Sequence, residues 1–234
     1  MKKKFFLKNR LMYKAVILFL LFSVHSCKSE KEIEKIKHYE ANNNLQYNNL
    51  VTSKFESFDI KRFDKNKDEA EDYVYTLEDG TRIREFGYEG RGYFSEVVPK
   101  NSLFTISKGF YPNSNIKDKG PSFKDDCEIG IWYEFDENGK LIKETDLDKP
   151  FKITIEDIIE FLKKNEADLF SNFTSVNRSY DEKTERGTWD LIYRGKYKDK
   201  VGMFNIKIDD SSAEIIQVVK ILGKEGEKEI LFEK

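Results

Sequence analysis

The sequence predicts an α+β fold, mainly β: an antiparallel β-hairpin meander followed by a helix packed on a small antiparallel sheet. Three observations carry this expectation. Between residues 51 and 148, short alternating apolar runs are punctuated by turn residues. One capped amphipathic stretch begins at Thr154. Four more alternating runs follow it, with no second helical pattern among them.

The chain opens on Met1-Lys-Lys-Lys4, a basic run that also holds Lys8, Arg10 and Lys14 and no acid. The apolar stretch Ala15–Phe22 follows, then Val24-His-Ser-Cys27. A positive head before a short apolar core has the form of a secretory signal, too short to span a bilayer. With a cysteine where cleavage should fall, residues 1–26 resemble a bacterial lipoprotein signal peptide. His25 departs from the usual small or aliphatic residue of that motif. The resemblance implies that Cys27 becomes the mature N-terminus and carries lipid, so the chain is held at a membrane of the cell envelope. Lys28 stands where inner-membrane lipoproteins often carry Asp, which points to the outer membrane.

Charge and residue counts narrow the functions. The chain has 41 basic and 43 acidic residues; the first 26 hold six of the basic ones and no acid, so residues 27–234 carry 35 against 43, a net −8. Nucleic acid is thereby disfavoured as a partner, since phosphate contacts need clustered uncompensated Lys and Arg. With Cys27 acylated, Cys127 cannot form a disulfide within the chain, and stability must come from an ordinary core. Two histidines, His25 and His38, are present, and signal cleavage removes the first. Triads built on His and zinc sites built on His and Cys are therefore disfavoured. No motif calls for a cofactor.

Residues 27–50 read as a polar, Asn-rich tether, with a stripe of Ile33, Ile36 and Tyr39 too thin to pack firmly. Its flexible span is roughly 25 Å. Beyond it, residues 51–148 form the hairpin region. Tyr73–Leu77 turns through Glu78-Asp-Gly80 into Arg82–Phe86; Gly109–Tyr111 turns through Pro112-Asn-Ser114 into Asn115–Lys117; Ile131–Phe135 turns through Asp136-Glu-Asn-Gly139 into Lys140–Glu144. Asp-Gly and Asn-Gly between apolar alternations mark hairpins because these residues tolerate positive φ.

The second and third units, Phe110–Gly120 and Gly130–Glu144, resemble MORN-type repeats, in the variant found in bacterial toxin–antitoxin antitoxin repeats. The resemblance covers residues 73–147, with a degenerate first unit and Ser114 in place of a turn glycine. It implies stacked hairpins in an open antiparallel meander, and a protein-binding, immunity-like role.

Residues 149–234 make the C-terminal α+β domain. Thr154 with Asp157 has the form of a helix N-cap, and Ile155, Ile158, Ile159 and Leu162 recur at helical spacing. Glu156 and Asp157 at the start and Lys163 and Lys164 at the end suit the helix dipole. Phe173–Tyr180, Thr188–Tyr193, Met203–Ile208 and Ile215–Ile221 read as strands, with Asp209–Ser212 turning the last pair. This helix-then-meander order resembles a PepSY-type domain.

Several apparent motifs lack the residues their chemistry needs. Asp64-Lys-Asn-Lys-Asp68 opens like a calcium loop, but Glu69 replaces the turn glycine and Tyr75 the bidentate acid, leaving a charged connector. Gly87–Gly92 lacks the Gly-Lys-Ser/Thr ending of a phosphate cradle and reads as a hairpin connection. Cys127 stands among Asp125, Asp126 and Glu128, charges that disfavour a thiolate. No spacing singles out a carboxylate pair for glycoside hydrolysis.

The aromatics remain. Phe86, Phe94, Phe104 and Phe135 join Tyr88, Tyr93, Phe110, Tyr111, Trp132 and Tyr133 in the repeat region, and the last six are the candidate binding surface. On a single-layer sheet, alternation leaves one row in solvent, while a core role for each ring is the competing expectation. An exposed row suits a non-catalytic, lipid-anchored module that binds an unidentified protein. The same row suits a carbohydrate- or peptidoglycan-binding surface, and an enzyme working through carboxylates alone is the third reading.

Overall fold

Hairpins with Asx-stabilised turns build residues 72–146. A computed structural model describes residues 50–124, 127–223 and 226–234. The expected signal peptide, Cys27, His38 and residues 27–49 of the expected tether lie outside these residues. The described residues all belong to one compact unit.

Strands β1 (Asp72–Thr76), β2 (Arg82–Tyr88), β3 (Gly92–Val98), β4 (Phe104–Phe110), β5 (Ile116–Phe123), β6 (Cys127–Glu128), β7 (Ile131–Phe135) and β8 (Leu141–Asp146) form an antiparallel sheet. Its order is β1-β2-β3-β4-β5-β7-β8, with β6 beside β5. All three expected hairpins are present, as is the β2–β3 hairpin over Gly87–Gly92. Their turns use the expected chemistry: the Asp136 carboxylate accepts from the N–H groups of Asn138 and Lys140, both at 2.9 Å, and Gly139 takes φ +81°. Ser114, at the position of the missing glycine, adopts φ +73° all the same, and its hydroxyl lies 3.0 Å from that of Ser57.

Residues 51–71, expected within the hairpin region with Asp64–Asp68 as a charged connector, instead hold a crossing segment and a helix. A helix, α1 (Ile60–Asn66), is capped by Asp59, which accepts from Arg62 N–H at 3.0 Å. The segment before it crosses the meander, pairing through Phe58 N–H to Ser114 O (2.8 Å) and Ile116 N–H to Glu56 O (3.1 Å). Val51, Phe58 and Phe63 from this strap meet Tyr93, Ile106, Phe110, Ile116, Tyr133 and Phe135 of the sheet in one core cluster. The Phe58 ring stacks on Tyr93 with centroids 4.7 Å apart. Each such buried ring contributes roughly 2–3 kcal/mol through area removed from water. Seven residues with a narrow apolar stripe gave too little periodicity to be read as a helix.

The second sheet is a simple meander, ordered β13-β12-β11-β10-β9. It holds β9 (Ser175–Asp181), β10 (Arg186–Tyr197), β11 (Lys200–Asp209), β12 (Glu214–Ile221) and β13 (Lys228–Glu233). The last strand was not expected from the sequence. Trp189, Leu191 and Tyr193 on β10 and Phe204, Ile206 and Ile208 on β11 are all buried, as alternation requires. The remaining helix, α2 (Ile155–Lys164), carries the complete capping box of Thr154 and Asp157 and buries Ile155, Ile158, Ile159 and Leu162. The Phe161 ring meets Tyr193 edge-on at 6.4 Å. The described residues are thus mainly β: 13 strands in two antiparallel sheets, with two helices.

Polar links join the sheets. Arg178 on β9 donates twice to Glu128 O, at 3.1 and 2.8 Å, and to Asp148 Oδ1 at 2.7 Å. Its guanidinium lies 4.4 Å from the Phe151 ring centroid and 5.4 Å from that of Trp189. Lys124 Nζ donates to Ser171 O (2.6 Å) and Thr174 O (2.5 Å).

Candidate functional site

Period-two alternation gives the first sheet two unlike faces. The inner face holds Tyr93, Phe110 and Tyr133, which are 3%, 6% and 9% exposed. These three belong to the core and are withdrawn from the candidate surface, because strap residues Val51, Phe58 and Phe63 cover the face they occupy. Tyr111 is half-buried and ties two hairpins together, its hydroxyl donating to Phe135 O at 2.9 Å. Asn113 and Asn115 reinforce that link, each donating a side-chain N–H to Glu137 O at 2.8 Å.

The outer face keeps Tyr88 and Trp132 and adds residues that the sequence reading left out of the candidate set. Tyr88 is 53% exposed and Phe94 47%. Phe94 stacks on Phe86 across β2 and β3, with centroids 5.3 Å apart and planes 16° from parallel. The Arg84 guanidinium lies 4.6 Å from the Phe86 centroid. Asp72 holds Arg84 through two hydrogen bonds, at 3.0 and 2.9 Å, and Glu96 approaches it at 3.6 Å.

Two glycines shape the middle of this face. The Trp132 indole lies across Gly120, where an added Cβ would fall 2.2 Å from Cδ2 and Cε2; the indole N–H reaches Pro121 O at 3.3 Å. On the neighbouring strand Asp118 leans over Gly109, where an added Cβ would fall 2.7 Å from Oδ1. Gly120 is therefore required by close approach, whereas at Gly109 the crowding atom is the movable end of the Asp118 side chain. Cross-strand register places Phe94 beside Gly109, Gly109 beside Asp118, and Asp118 beside Glu134. The result is a shallow floor at Gly109, with the Phe86–Phe94 pair on one side and the indole on the other.

The electrostatics of this floor are lopsided. Burial pushes the Asp118 carboxyl above the usual carboxylate range; Lys117, 3.8 Å away, opposes the shift, the Glu134 charge adds to it, and a Gly109 backbone hydrogen bond opposes it. Glu134 in turn pairs with Lys143 at 3.0 Å. Among the described residues no group of three or more His, Cys, Asp or Glu side chains is placed to hold a metal ion. What the arrangement offers chemically is a flat aromatic and carboxylate surface suited to recognition.

No family model, curated protein or solved structure matches the chain. Phe94, Phe86 and Asp118 were missed because alternation alone does not say which face a strap will cover. Gly109 and Gly120 inside strand patterns were the available signal, since glycine there marks a close approach.

Proposed function

We propose that the chain is a non-catalytic protein-binding lipoprotein of the cell envelope, anchored through lipid on Cys27, more specifically at the outer membrane. The observation that carries the binding reading is the exposed outer face, where Phe94 (47%) and Tyr88 (53%) stay in solvent while the inner face is used up by the core. The MORN-like hairpins supply the scaffold, and their antitoxin-type variant supports an immunity-like role. The PepSY-like half, with α2 packed on the second sheet through Ile155, Ile158, Ile159 and Leu162, serves as its buttress. The tether gives this body reach away from the membrane. A glycan is the second reading, favoured by one observation: the Trp132 indole lies flat on the sheet beside carboxylates that accept hydroxyl hydrogen bonds.

The test is capture from an envelope extract with immobilised Leu45–Lys234, comparing the wild type with Phe94→Ala/Trp132→Ala. A protein retained in stoichiometric amount by the wild type and lost by the variant, with both melting at the same temperature, is the expected result. Recovery of no protein, or equal recovery by both, contradicts the reading.

A further inference from the structure

We propose that the outer face recognises an arginine side chain of a protein partner, its guanidinium pairing with the Asp118 carboxylate and its stem lying between Phe94 and Trp132. This deepens the protein-binding reading and rests on it.

Charge complementarity carries the inference. Two cations of the face are already matched: Arg84 is shared by Asp72 and Glu96, and Lys143 is taken by Glu134. Asp118 has its sequence neighbour Lys117 at 3.8 Å, a side chain that is 55% exposed, whereas Asp118 itself is 33% exposed. The carboxylate is therefore partly desolvated with a weak, solvated counter-charge, and a cation delivered from outside gains most there. Residues 27–234 also carry a net −8, which steers basic surfaces toward the molecule.

The surroundings select the form of that cation. Asp118 folds over Gly109, next in register to Phe94, and the Trp132 indole folds over Gly120 on the same strand as Asp118. Strands stand about 4.8 Å apart, so the gap between the Phe94 strand and the Asp118 strand is about 10 Å. The Asp118 carboxylate reaches over the middle of this strip at Gly109, so a long side chain laid along the face meets it there. A guanidinium is planar, stacks on an aromatic face and pairs with a carboxylate through two parallel hydrogen bonds, whereas an ammonium does neither as well. The methylene stem covers apolar ring surface that water otherwise wets.

Two indole N–H groups, on Trp132 and Trp189, provide the readout. The full chain, ¹⁵N-labelled at tryptophan in micelles of a polyoxyethylene detergent at physiological salt, is titrated with the peptide acetyl-Gly-Arg-Gly-amide. The Trp132 resonance, assigned with Trp132→Phe, is expected to move saturably, while that of the fully buried Trp189 stays fixed. Replacing arginine by the neutral citrulline, or Asp118 by Asn, is expected to weaken binding at least tenfold. Glu137→Gln removes the same charge from an exposed turn and is expected to leave binding unchanged. Equal shifts with citrulline, an undiminished Asp118→Asn titration, or a response to chitotetraose alone overturns the proposal. The protein-binding reading is separable by capture: a partner retained by Asp118→Asn but lost by Phe94→Ala/Trp132→Ala sinks the arginine preference and leaves that reading standing.

Discussion

Asp210→Ala is expected to lower stability by about 3 kcal/mol, because three donors, the fully buried Trp189 indole among them, lose one acceptor. Asp210 is 4% exposed. Its Oδ1 accepts from the Trp189 indole N–H at 3.1 Å and from Ile153 N–H at 3.0 Å, and its Oδ2 accepts from Lys152 N–H at 2.9 Å. One carboxylate thus holds the β11–β12 turn, the lead into α2 and the central core ring together. Gly187 makes room for it, since a Cβ there would lie 2.9 Å from that of Asp210. Asp210→Asn keeps an acceptor but loses the charge, and is expected to cost about half as much. Urea unfolding followed by tryptophan fluorescence measures both. A loss under about 1 kcal/mol for Asp210→Ala contradicts this assignment.

A similar loss is expected from Glu56→Ala, for a different reason. Lys119 is 0% exposed; its ammonium donates to Glu56 Oε1 at 2.6 Å and to Lys54 O at 2.5 Å. Lys108 pairs with the other oxygen of Glu56. Removing Glu56 leaves a buried ammonium with the Lys54 carbonyl and the face of the Phe135 ring, a change that costs about 3–5 kcal/mol. Lys119→Met removes the buried charge itself and is expected to be nearly neutral, and the double variant to recover most of the Glu56→Ala loss.

The same carboxyl predicts an acid response. Burial alone would raise it, but hydrogen bonds and charges from Lys108 and Lys119 outweigh that and hold it below the usual range. A depressed folded value means that this contribution is complete above the ordinary glutamate range and is lost as pH falls through the lower, folded value. Stability measured between neutral pH and about pH 3 should therefore fall more steeply in the wild type than in Glu56→Gln. Parallel curves would contradict the pairing.

Local signals were legible in the sequence where they were chemically specific. The hairpins at Asp79, Asn113 and Asn138, the Thr154–Asp157 cap and the alternation of Trp189, Leu191 and Tyr193 all follow from turn chemistry and period. Relations between distant segments were not. Nothing local tells that Phe58 and Phe63 fold back across the meander, and that strap decides which aromatic row is core. Asp209 and Asp210 read alike as turn residues. Asp209 does hold the turn, with its carboxyl drawn down to about 2 by the hydroxyls of Ser211 and Ser212, whereas Asp210 points inward. Lys119 on a sheet strand gave no hint of burial, because its partner Glu56 lies 63 residues away.

The proposed binding face and the proposed lipid on Cys27 are open to a joint test. One measurement reads both parts at once. A photo-crosslinking residue is placed at position 94 in cells that make the protein, with Cys27 intact or replaced by Ser, and membranes are separated after illumination. The expected result is a discrete adduct to one protein in the envelope membranes of the Cys27 chain, with the Cys27→Ser chain released from them. No adduct from position 94, or an equal yield from the exposed Val201 of the second sheet, contradicts the binding face; retention of the Cys27→Ser chain after signal removal contradicts the lipid anchor.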